Sequence, residues 1–207
     1  MTNRLSAYPC KHSADAVQTF AGGYFFDFMK QYQYFSPGDI HIVKNSVAMA
    51  EELVCNHYKL SATQLLQLNY DVKTLIDLAE NEIVNDHFAQ IIRYAEKTKN
   101  NLLNVSGKDF YKICIQDHSI INAIKKFTEL DLYAFSVYIV CHELIHIIRF
   151  QRFLQHFDAP LKEKLDEEIR VHIKTHEILS NVKIKKLDPV FDFYKRWRVA
   201  SPEIMNA

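Results

Sequence analysis

The chain has 207 residues, of which 48% are apolar, and its 25 Lys and Arg balance 25 Asp and Glu. That is enough for one sizeable core, read as a single domain with a tail, and the absence of any long single-sign run excludes a nucleic-acid-binding surface. Four scattered cysteines (Cys10, Cys55, Cys114, Cys141) without CxxC spacing, and an N-terminus that does not read as a secretory leader, predict a reduced, cytoplasmic protein.

Only four glycines and five prolines punctuate the chain, and alternating strand-type runs are scarce, so the expectation is all-α: one bundle of about six helices over residues 1–186 and an aromatic, basic tail over 187–207. Ser13 caps a first helix reaching about residue 34, whose Phe20, Tyr24, Phe25, Phe28 and Tyr32 suit a core or an interface. Ser36-Pro37-Gly38-Asp39 opens a second helix to about Tyr58. Ser61 starts a further helical stretch, interrupted near Asn69-Tyr70-Asp71, and residues 71–103 then read as a longer helix. Beyond Val105-Ser106-Gly107, residues 108–128 read as another. A strongly apolar helix follows, to about residue 157, and Asp158-Ala159-Pro160 turns the chain back into a helix over Leu161–Leu179. In the tail, Phe191, Phe193, Tyr194 and Trp197 are placed to dock on the bundle, on a partner protein or on a second copy.

The apolar helix is hydrophobic enough to raise the question of a membrane span. Its His142, Glu143, His146 and Arg149 would be costly in lipid, which predicts instead a central helix buried in protein. His142-Glu143-Leu144-Ile145-His146 is an HExxH pattern: residues four apart share a helix face about 5 to 6 Å apart, so both imidazoles can reach one metal ion with Glu143 beside them. Cys141 points about 100° away from His142 and reads as packing. On the next helix, Leu161, Leu165, Glu168, His172, His176 and Leu179 form one stripe and Lys164, Glu167 and Lys174 another, which turns Glu168 inward and Glu167 to solvent. With a rise of about 1.5 Å per residue and a turn near residue 158, position 146 faces roughly position 170, between Glu168 and His172. The predicted metal ligands are therefore His142, His146, Glu168 and His172, with Glu143 as the catalytic base.

Residues 139–172 resemble the active-site helix of the zincin metallopeptidases, in the subset whose third ligand is a glutamate on a following helix. The resemblance implies one zinc ion on His142, His146 and Glu168, a water at an open position, Glu143 as general base, and hydrolysis of a peptide or amide. That class holds its substrate against a sheet edge, which the helical expectation does not provide. Glu143-Leu144-Ile145-His146 is also similar to the ExxH element of ferritin-like di-iron proteins, with Glu168 and His172 as a counterpart spaced by four instead of three, two Fe as cofactor, and Glu51, Glu52, Glu80 or Glu82 as further carboxylates. A third expectation is a structural metal, or a buried hydrogen-bonded network, in a helical adaptor; a closed ligand set would mark it.

Overall fold

The computed structural model describes residues 32–94 and 109–198. The helix expected from Ser13 lies outside these residues up to position 31, and residues 32–34 are irregular. Helix α1 (Pro37–Tyr58) opens with a capping box in which Ser36 Oγ accepts the Asp39 N–H at 3.2 Å and the Asp39 carboxylate accepts the Ser36 N–H at 3.0 Å. It ends at Lys59, whose left-handed φ of 54° breaks the helix. Helix α2 (Ala62–Gln67) repeats the capping box with Ser61 and Gln64.

A three-stranded sheet overturns the all-α expectation. Strands β1 (Tyr70–Lys73), β2 (Ala89–Tyr94) and β3 (Phe110–Ile115) form a mixed sheet in the order β1-β3-β2. β1 runs parallel to β3 with Val72 opposite Ile113, and β2 runs antiparallel to it with Ile91 opposite the same residue. Between β1 and β2 there are two single 3-10 turns, Leu75–Asp77 and Glu80–Glu82, where a long helix was expected. The helix expected over residues 108–128 is strand β3 followed by a shorter helix α3 (Asp117–Lys126). Physically, Ile-Ile in β2 and Ile-Cys-Ile in β3 are short apolar runs compatible with either period, and β-branched and aromatic residues favour the pleated surface once a third strand and a helix cover it. Ile91 and Ile113 are fully buried.

Two buried carboxylates fasten these segments. Asp117, in the first turn of α3, accepts the N–H of Phe35 at 3.0 Å and of Leu75 at 2.9 Å. Glu82 accepts Lys112 Nζ at 2.7 and 2.9 Å, the Tyr94 hydroxyl at 2.5 Å and the Ala79 N–H at 2.8 Å.

Helix α4 (Leu132–Gln151) is N-capped by Asp131, whose carboxylate accepts the N–H of Tyr133 and Ala134. Every residue from 134 to 148 is buried, which is the all-round burial its composition predicts. Among the described residues α4 is long and apolar enough to cross a membrane, but protein covers it. α1 lies along it, β2 crosses near its middle, and α5 (Leu161–Leu179) returns beside it. α4 stops at Gln151 instead of near 157, because Phe153 takes a left-handed φ of 54°. Beyond α5, a short helix α6 (Leu187–Phe193) and a 3-10 turn (Lys195–Arg198) fold back over α4 and α5, so the aromatic tail docks on its own domain.

Candidate metal centre

Helices α4 and α5 are antiparallel, since Tyr138 meets His172 while His142 meets Glu168. The stripe Tyr138, His142, His146 on α4, at steps of four, therefore faces Glu168 and His172 on α5. His142 Nε2 lies 3.2 Å from Glu168 Oε2, His146 Nε2 lies 3.2 Å from Glu168 Oε1, and the two imidazole nitrogens are 3.1 Å apart. All three side chains are at most 3% exposed.

These separations test the fit to a metal. A tetrahedral ion with ligand bonds of about 2.0 to 2.2 Å holds neighbouring donors roughly 3.3 to 3.6 Å apart. Two imidazole nitrogens and a carboxylate at 3.1–3.2 Å need only a few tenths of an ångström of outward movement to accept one. Two nitrogens and one oxygen also make the donor set that suits zinc among the common divalent ions.

His172 is nearby but looser. Its ring lies 4.3 Å from that of His142, and it belongs with His142 and Glu168 to a group whose donor atoms lie within 4.8 Å of one another. Its Nδ1 shares a 3.0 Å hydrogen bond with the Tyr138 hydroxyl, which restrains the orientation of the ring. The predicted residues His142, His146, Glu168 and His172 are thus brought together, three in direct contact and the fourth beside them.

Electrostatics divides the two glutamates of the centre. Burial works against the Glu168 carboxylate, but His146 and His142 outweigh it and hold the group well below the usual carboxylate range. Glu143 is also buried, and burial pushes its carboxyl up to about 7, opposed by His142 and reinforced by Glu168. Glu143 lines one small cavity together with His142, His172, Tyr138, Tyr194 and Phe88.

The expectation that Glu167 faces solvent is corrected. It is fully buried, its carboxylate takes Arg149 Nε and, at 2.9 Å, Arg149 Nη2, and Arg170 approaches at 3.6 Å. Lys164 of the same stripe is buried as well, whereas Leu161, assigned to the inward stripe, is 57% exposed. Helix α5 has a wider buried arc than one stripe because it meets both α4 and α1. Cys141 is packing, as its direction implied: its Sγ faces the Ala50 carbonyl of α1, and burial raises the thiol.

The four carboxylates considered for a second metal lie elsewhere. Glu51 accepts the Tyr70 hydroxyl at 2.6 Å, Glu82 is held by Lys112, and Glu52 and Glu80 are exposed. Sequence reasoning missed Tyr138 and Phe88, and it gave Tyr194 only as a residue docking on the bundle or a partner, not as part of the site. Tyr138 could have been found, one turn before His142 on the same face; the other two arrive from distant parts of the chain and left no local signal.

No family model matches the chain, and no curated protein or solved structure resembles it closely enough to establish kinship.

Proposed function

We propose that the protein is a metal-dependent hydrolase, with zinc as the ion, acting on a peptide or amide bond. The observation that carries this reading is the convergence of His142 Nε2, His146 Nε2 and Glu168 at 3.1–3.2 Å with a second buried carboxylate, Glu143, beside them. Three protein ligands leave a position for substrate or water, and an ion bound there supplies Lewis-acid activation of that water. Glu143 is not among the three contacting donors, so it is available to take a proton from the water and return it to the leaving nitrogen. Tyr138 holds His172 at the margin of the same cavity, where the imidazole would hydrogen-bond a substrate carbonyl oxygen.

Ala89, at the start of β2, lines the cavity next to Glu143, and among the described residues β2 pairs only with β3. An extended peptide would reach the centre along this strand only where its buried start, Ala89 to Ile91, is uncovered.

One observation favours a second reading, a structural metal: the cavity at the centre measures about 10 Å³, room for a single water. Zinc-loaded protein assayed on a pool of internally quenched peptides separates the two. The hydrolase reading expects cleavage that Glu143→Gln abolishes while the ion is retained; a structural metal gives a full complement of ion and no cleavage from either protein.

A further inference from the structure

The cavity is small because a particular segment closes it. Tyr194 stacks on Tyr138 with ring centroids 4.2 Å apart and planes within 6°, and it is 2% exposed. Trp197 stacks on His172 at 5.7 Å, and Phe191 meets His176 at 4.4 Å. Tyr194 therefore closes one wall of the small cavity beside His142 and Glu143, and Trp197 covers the ring of His172. A peptide would reach the cavity only in the fraction of molecules in which this closure is open.

The segment is seated by Leu187, Val190 and Tyr194, all buried, and by Phe193 against Phe88, Phe127 and Phe135, so its departure uncovers apolar surface; what favours movement is its short length and its exposed link to α5. α6 has seven residues, too short to be stable apart from what it packs on, and the 3-10 turn after it has four. Arg198 bonds back to the Phe191 carbonyl at 2.9 Å, which makes the segment a unit closed upon itself. It is joined to α5 through residues 180–186, where Asn181, Lys183, Lys185 and Lys186 are exposed, and Lys186 turns the chain with a left-handed φ of 61°. Polar, exposed backbone of this kind opens at low free energy compared with the helices that flank it. Displacing the segment would uncover Tyr138 and His172 without disturbing the bonds among His142, His146 and Glu168, which come from α4 and α5 alone.

We propose that residues 187–198 are an occluding cap that holds the metal centre latent, and that substrate is admitted when this cap swings away about residues 180–186. The proposal rests on the hydrolase reading for its consequence, but the cap has a readout independent of catalysis. In the full-length, zinc-loaded protein, a chelator reaches the ion only in the open state, so the extraction rate follows the open fraction.

Two variants shift that fraction. Trp197→Ala removes the ring on His172 from a half-buried position. Lys186→Pro forbids the positive φ from which α6 starts, at an exposed residue that contributes nothing to the core. With retained helicity confirmed by circular dichroism, both variants are expected to speed zinc extraction by 4-(2-pyridylazo)resorcinol roughly tenfold or more, and to raise peptide cleavage in parallel. Extraction at the wild-type rate in both variants overturns the cap. Faster extraction with no cleavage from any protein leaves the cap standing and removes the hydrolase. Cleavage by the wild-type chain as fast as by either variant, with unchanged extraction, removes the cap and leaves the hydrolase.

Discussion

Glu167 and Glu168 are adjacent and both buried, yet they close on different partners: Glu167 on the guanidinium of Arg149, Glu168 on the imidazoles of His142 and His146. The first pair fixes α5 against α4 one turn beyond His146, and so sets the depth at which the second carboxylate meets the histidines. Glu167→Gln should leave zinc content unchanged and lower stability by about 1.5 to 3 kcal/mol in urea denaturation, because the partly buried guanidinium loses its charged acceptor. Glu168→Gln should empty the centre and also lower stability in the metal-free form, because the two imidazoles lose the buried carboxylate they close on. A Glu167→Gln protein that loses its zinc would show that the two carboxylates are not divided in this way.

His142→Ala and His146→Ala should each lower zinc affinity by more than the roughly 10 to 100-fold typical of residues that only support ligands. His172→Ala should fall inside that range, since its ring stands beside the three contacting donors. Competition titration against a colorimetric chelator ranks the three variants, and a His172→Ala loss as large as that of His142→Ala would make His172 a fourth ligand.

Tyr138→Phe deletes the hydroxyl that His172 Nδ1 meets at 3.0 Å and keeps the ring that Tyr194 stacks on. The buried imidazole then loses a hydrogen bond, at a cost of about 1 to 3 kcal/mol in thermal or urea unfolding. Zinc content is expected to stay at one per chain. If catalysis depends on His172, kcat falls while KM changes little, which a purely structural hydroxyl would not produce.

Acid should weaken the sheet before the helices. Burial raises the Glu82 carboxyl, but Lys112, the Tyr94 hydroxyl and the Ala79 N–H overcome this and leave it below its ordinary value of 4.5. A carboxylate depressed in the folded state stabilises fully above the unfolded value and loses that contribution as pH falls through the folded one. Wild-type stability should therefore decline below about pH 4.5, and Glu82→Gln should be less stable at neutral pH with a flatter acid limb. An acid limb of unchanged slope in Glu82→Gln would assign the decline to other groups.

The candidate site was legible because everything it needs is local. Two imidazoles four residues apart declare a helix face, and a single turn between two helices places residue 170 opposite residue 146; the contact of His146 with Glu168 lies within one helical turn of that estimate. Glu167 was misplaced because a stripe argument assumes one buried face, and α5 has two neighbours. The sheet was illegible for a different reason. β1 and β3 pair across about forty residues of sequence, and the apolar runs that form β2 and β3 acquire their period only from that pairing. Tyr194 carried no signal beyond aromatic density, which says that a surface is sticky and not what it covers.

The donors His142, His146, Glu168 and His172 all belong to one helical hairpin, whereas the strand edge and the cap come from the chain on either side of it. Under the proposed reading, ion capture would be a short-range event: closing the hairpin brings these four side chains together whether or not β1 has yet found β3. Under the same reading, what the centre acts on would be decided by other parts of the molecule, which contribute none of the four donors.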